Sequence, residues 1–347
     1  MQPNSQTFDI KVVDIDVGGD FHRVILSGIS VPPGKSAFEI RDLFKSEYDE
    51  LRQIMLSHPY GNEDMCANLV FESSNENAPY AHIIMECMGY PYFSGSNTSA
   101  TIAALLVCGL VPMKNTTDTL YHEAPSGLIE ATYRTKDDTI QEIIVAGDDA
   151  YVIEDTKQIE IPGYGTVDYA LVWSGVVFIM VDAEIFDIKI DEDHIERMKE
   201  VGLQFTKAVE ETFRHDHPVL GPIEAPKFVN FLGPCRKTGE QQHEGLGAVY
   251  GYPATVFRCP TGTGTAARMA LTVSRNDMEP GAVFQNTSPI GSRFTGRSLG
   301  WRNKAGKKML GVEISSTPYV LSTTTLHVDF DNPSLKPFAK LRDLLEV

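Results

Sequence analysis

Two short runs combine hydroxyl side chains and glycine just ahead of small aliphatic residues. Ser94-Gly95-Ser96-Asn97-Thr98 leads into Ser99–Val107, and Thr261-Gly262-Thr263-Gly264-Thr265 leads into Ala266–Val273. Each reads as the start of a buried helix, with Asn97 or Thr98 available to cap the first. A helix start carries unpaired N–H groups and partial positive charge, so it attracts an anion. Glycine lets that anion approach the backbone. Two such starts facing each other would hold one small carboxylate, with Ser94 and Thr261 on opposite faces of the atom beside it. Ordinary capping is the plainer use of the same residues. Neither run is a nucleotide-binding GxGxxG or GxxxxGK[ST] loop.

Other chemistry is weakly signalled. His215-Asp216-His217 is metal-like only in isolation, and His58, His82, His122, His194, His243 and His327 form no ligand-spaced set, so no metal is expected. GxSxG is absent. The five cysteines (66, 87, 108, 235 and 259) form no CxxC pair, which predicts free thiols in a reducing compartment. With 30 basic against 47 acidic residues, the net charge of −17 disfavours nucleic acid and anionic membranes as partners. No apolar segment approaches the ~20 residues needed to cross a bilayer. The opening MQPNSQTFDI lacks the pattern of a secretion leader, so a cytoplasmic protein is expected.

The elements that must position these residues are mostly strands. Phe8–Val17 and His22–Leu26 flank a turn at Gly18-Gly19-Asp20, and a helix is predicted over Ala37–Leu56. Tyr80–Glu86 reads as a strand before the first glycine run. After it, strands are predicted over Leu128–Tyr133, Thr139–Val145, Ala150–Ile153, Gln158–Ile161, Thr166–Trp173 and Val176–Val181. A helix follows over Glu192–Phe213, then a Pro/Gly-rich passage over Pro218–Pro234. Arg302–Lys308 reads as a solvated hairpin. Many strands with few helices predict sheets wrapped around helices rather than a doubly wound nucleotide fold. The two glycine runs, one in each half, predict two related domains.

The ordered set of motifs resembles the proline racemase family: proline racemases, hydroxyproline epimerases and trans-3-hydroxyproline dehydratases. The resemblance runs through Asp14-Ile15 to Arg23 with Gly18-Gly19-Asp20 between, Ser94-Gly95-Ser96-Asn97, and Ala124-Pro125-Ser126-Gly127-Leu128. It continues through His217-Pro218, Arg258-Cys259-Pro260 with Thr261–Thr265, and Ile290-Gly291-Ser292 to Gly296-Arg297. It implies an α/β (α+β) fold of two pseudo-symmetric domains, each a curved, mainly antiparallel sheet or barrel around a central helix. The implied domains are 1–160 with 328–347, and 161–327, with the active site in a cleft between them. It also implies no cofactor and a homodimer.

The resemblance places this chain as an atypical member. The family's two catalytic cysteine positions correspond to Ser94 and Thr261; the threonine fits the dehydratase branch, and the serine departs from the usual form. A hydroxyl supplies almost no anion without a neighbouring base, so two-thiol racemisation is not expected. Gly95, Asn97, Gly262 and Thr263 match the carboxylate-binding part. Ser96 and Phe257 stand where the family holds the substrate amine with a histidine and an aspartate, which implies a changed pocket. Asp16 is a possible accessory acid or base, with turn contacts as its other reading. Cys259, about 6–7 Å along an extended segment from Thr261, is a possible accessory or a small buried residue. The expected function is a dehydratase (carbon–oxygen lyase) or related proton-transfer isomerase acting on a small cyclic carboxylate. The alternative is a family member that binds such an acid without turnover.

Overall fold

The computed structural model describes residues 7–147 and 149–345; the reading of the first six residues lies outside them. The chain divides into two compact units: residues 1–92, 97–143 and 317–347, and residues 93–96 with 144–316. The sequence reading put the break near 160. Residues 151–161 pair along residues 165–173 as a hairpin of the second unit, so that unit begins earlier, and it ends earlier too, at 316.

In the first unit, Thr7–Val17 pairs antiparallel with both Asp20–Ser27 and Pro318–Asp329. Helices α1 (Ala37–Glu47) and α2 (Glu50–Met55) then carry the chain over to Cys66–Glu72, parallel to Asp20–Ser27. Tyr80–Met85 returns antiparallel. Helix α3 (Gly95–Val107) follows, and Thr117–Ala124 bridges parallel to Tyr80–Met85 before its hairpin with Gly127–Lys136.

The second unit repeats this order. Gly165–Trp173 and Val177–Asp182 form a hairpin. Helix α4 (Ile195–Thr212) carries the chain to Phe228–Gly239, parallel to Val177–Asp182. Gln242–Gly251 returns antiparallel. Helix α5 (Gly262–Ser274) follows, then Val283–Thr287 lies parallel to Gln242–Gly251 and starts the antiparallel run Arg293–Lys304 and Lys307–Ser316. The bridge from Ala150 to Leu310 curls this sheet back on its start.

Helices α3 and α5 are the centres of this plan. Every residue from Gly95 to Leu106 is buried, and α5 is buried from Gly262 through Leu271. A helix apolar all round must lie inside the structure, and small Ala, Gly, Ser and Thr side chains let strands close over it. Helix α5 packs against strands 151–161, 165–173, 293–304 and 307–316. Around the first unit's core, Ile10, Val12, Ile40, Phe44, Leu69, Ile83 and Val328 are fully buried.

Two expectations fail in instructive ways. The predicted helix 37–56 breaks at Tyr48-Asp49, where the Asp49 carboxylate turns to Arg52 (2.7 and 2.8 Å) and Gln53 (2.8 Å). The Pro/Gly-rich passage contains the start of strand Phe228–Gly239. Gly233 and Pro234 sit where its register slips between Leu232 and Cys235, a bulge that tolerates a residue with no N–H.

Candidate active site

Thr261 precedes α5 as its N-cap, and its Oγ1 accepts the Gly264 N–H at 3.0 Å. Its φ of +53° is a left-handed conformation that costs a β-branched residue about 1–3 kcal/mol. Several buried groups hold it there. The Cys259 Sγ accepts the Thr261 N–H at 3.1 Å, and Thr265 Oγ1 donates to the Thr261 carbonyl at 2.7 Å. Asn230 donates to the Gly264 carbonyl (2.9 Å) and Asn286 to Thr265 Oγ1 (2.9 Å).

The other glycine run meets this turn. Residues Phe93–Ser96 belong to the second unit, where the Phe93 ring fills the space a side chain would need on Gly147 and Gly175. Gly95 lies against Gly262: a Cβ on Gly262 would stand 3.3 Å from the Gly95 Cα, and one on Gly95 3.6 Å from the Gly262 Cα. The two glycines therefore approach backbone to backbone; a Cβ on Gly95 would make an ordinary contact, whereas one on Gly262 would push its neighbour back by a few tenths of an ångström. Ser94 Oγ is 3.3 Å from Ser96 Oγ, so these hydroxyls share one small polar group. Thr263 and Ser96 are both buried.

The remaining expected residues fall elsewhere in the hydrogen-bond scheme. Asp16 accepts the Gly19 N–H at 3.1 Å, the turn contact that was its other reading. Cys259 is fully buried and serves the Thr261 turn through its sulfur. Phe257 is buried with its ring stacked on Phe228 at 6.2 Å. His217 packs on Trp173 and accepts the Val219 and Leu220 N–H groups, while His215 pairs with the Tyr151 hydroxyl. Among the described residues, no group of three or more His, Cys, Asp or Glu is arranged to hold a metal ion.

The sequence reading missed one ionisable group beside the first helix start. Glu86, one residue past Tyr80–Met85 and 4% exposed, accepts from Asn97 Nδ2 at 2.9 Å and from the Cys66 thiol at 3.7 Å. Burial raises its pKa to about 7, against the two hydrogen bonds that favour its charged form. The Cys66 thiol is pushed well up by burial and by Glu86, which leaves it a neutral donor. A charged residue closing an apolar strand was the available signal, but nothing in spacing reveals that its side chain turns inward.

The sequence pattern of the proline racemase family matches residues 12–339. A protein of Chromohalobacter salexigens is 29% identical over 329 residues, covering 95% of this chain and 91% of its own. A hydroxyproline epimerase from Agrobacterium vitis, solved with bound trans-4-hydroxy-L-proline, superposes with a TM-score of 0.87 at 22% identity over 95% of both chains. A probable proline racemase from Agrobacterium radiobacter K84, solved with bound carbonate, gives 0.86 at 24% identity, covering 93% of this chain and 94% of its own. These similarities carry the fold of two sheet-and-helix units expected from the sequence. Among the described residues, no helix is long and apolar enough to cross a membrane.

Proposed function

This chain belongs to the proline racemase family, and from that premise we propose that it is a cofactor-independent enzyme of proton transfer beside a carboxylate. Its substrate is a small cyclic acid of proline or hydroxyproline type. Dehydration is the favoured outcome: the α-proton leaves, the β-hydroxyl departs as water, and a carbon–carbon double bond forms. Proton-transfer isomerisation is the related course. The observation that supports this reading is the close approach of Gly95 and Gly262; in it the amides of two helix starts serve one anion. Those amides would also stabilise the enolate-like charge that develops as the proton leaves.

In this reading Gly95, Ser96, Asn97, Gly262 and Thr263 hold the carboxylate, and Ser94 and Thr261 position water or pass the proton. Thr261 Oγ1 accepts the Gly264 N–H with one lone pair and keeps its O–H to donate, which suits protonation of a departing hydroxyl. Ser96 offers a neutral hydroxyl where a cationic amine would need a counter-charge, and Phe257, stacked on Phe228, supplies none, so the ligand is less basic than proline. The same commitments of Thr261 and Cys259 favour a second reading, in which the acid is bound without turnover. A homodimer goes with the family reading, and the exposed strand Pro318–Asp329 is its candidate surface, with Tyr319 63% and Leu321 54% exposed.

Incubation with 3- and 4-hydroxyprolines and proline in D₂O, followed by NMR, tests the chemistry. Loss of a β-hydroxyl or α-proton exchange is expected, reduced at least tenfold in Ser94→Ala. Binding of pyrrole-2-carboxylate without either change would leave only the second reading. Gly262→Ala should weaken that binding by about tenfold or more, roughly 1.4 kcal/mol, because its Cβ pushes the two turns apart. Proline binding more tightly than pyrrole-2-carboxylate would overturn the changed pocket.

A further inference from the structure

Glu86 stands next to the proposed carboxylate site without belonging to its surface. Its Oε1 holds Asn97, the third residue of α3, and the thiol of Cys66. Asn97 is fully buried, so this contact is shielded from solvent. Few charges surround it. Strand Asp20–Ser27 brings Asp20, a like charge felt through the interior, and His22, which burial keeps neutral with a pKa of about 4. Strand Cys66–Glu72 brings the neutral Cys66. Helix α2 brings Arg52, but its guanidinium donates to the backbone carbonyls of Glu86 and Cys87 and is matched by Asp49 at 2.7 and 2.8 Å. His82, on the strand that leads to Glu86, turns to His122 at 2.7 Å. No cation forms an ion pair with the Glu86 carboxylate among the described residues.

We infer that Glu86 is a positioning residue that couples carboxylate binding at the first turn of α3 to the uptake of one proton. The inference rests on the reading of that turn as a carboxylate site. When ionised, Glu86 is a second negative charge, buried and hydrogen-bonded to that turn through Asn97, and a bound carboxylate is repelled by it at low dielectric. Binding therefore favours the neutral carboxylic acid, and the proton comes from solvent. When already protonated, Glu86 still accepts from Asn97 through its carbonyl oxygen, so the site keeps its shape while the repulsion vanishes. A titration point near 7 puts this exchange within the working range of a neutral solution.

Calorimetric titration with pyrrole-2-carboxylate in paired buffers of different ionisation enthalpy, MES and Bis-Tris from about pH 5.5 to 6.5 and HEPES and Tris from about pH 7.5 to 8.5, reads the proton directly. The wild-type chain should take up close to one proton per ligand at pH 8 and almost none at pH 5.5. Its affinity should fall about five- to tenfold from pH 6 to 8. Glu86→Gln should take up none and bind with an affinity that is flat in pH. Ligand binding with no proton uptake in the wild type, or with uptake unchanged in Glu86→Gln, removes Glu86 and leaves the carboxylate site standing. If Glu86→Gln does not fold, the two-buffer comparison on the wild type decides. No binding at any pH overturns the site and the coupling together.

Discussion

Thr261 holds a backbone torsion that glycine would accept freely, and it does so while capping α5. The cap and the torsion have opposite signs for stability, so two substitutions separate them. Thr261→Ala loses the cap and keeps the strain, and a loss of about 1–2 kcal/mol is expected. Thr261→Gly loses the same cap but relaxes the torsion, so it should cost only a few tenths of a kcal/mol. Urea unfolding of both variants checks the order; a larger loss for glycine would show that the torsion carries no strain. At this scale the sequence was informative where residue type states the task. Glycines and hydroxyls at a helix start announce a cap, and Thr261 supplies it to α5. Glu86, Asn230 and Asn286 announce nothing, because their roles come from strands folded over the helices, and only the folded chain brings them together.

The central helices were legible because α3 and, apart from the buried Arg268, α5 are apolar or small, a pattern that leaves little solvent face. The break between α1 and α2 was not, since it depends on side-chain hydrogen bonds of Asp49 rather than on glycine or proline. The pairing of His82 with His122 at 2.7 Å was equally hidden. It follows from the parallel register of Ala81 with Glu123, which joins strands on either side of α3. Burial lowers the pKa of His82 to about 3, that of His22 to about 4, and that of His122 well below the usual value. The unfolded chain protonates these rings near 6.5 and the folded chain does not until far lower pH. Between those points the unfolded state binds more protons, so stability rises with pH and is lost on acidification. Glu86 acts in the opposite sense from about 4.5 to 7, but it is one group against three. Urea midpoints should therefore fall clearly from pH 6.5 to 4.5, by more than about 1 kcal/mol in stability. A flat or rising profile would contradict the burial of these imidazoles as neutral rings.

Each unit runs hairpin, crossover helix, antiparallel pair, central helix, parallel return and hairpin, so the pair of glycine runs marks a repeated plan. The sequence showed the repeat only at those runs because the surrounding strands keep the topology with different residues. Net charge acts on the whole molecule: at −17, most surfaces of two copies repel. From Tyr319 to Leu326 strand Pro318–Asp329 has no charged residue, and its exposed Tyr319, Val320 and Leu321 lack the usual protection of an edge. Sedimentation should give a dimer, and Leu321→Lys with Thr323→Lys should give a folded monomer. A wild-type monomer at tens of micromolar would reject the assignment.

The path of the chain also bears on how this protein could be divided. The polypeptide passes from one unit to the other at 92/93, 96/97, 143/144 and 316/317. A gene severed at any one of these points would give fragments that each lack part of a sheet or a helix start. Unit 2 expressed as 144–316 would lose Phe93, whose ring occupies the faces of Gly147 and Gly175, and would open a hole in its own wall. The second unit is therefore not obtained whole by simple truncation, and a gene that expresses it alone has to join residues 93–96 to 144–316.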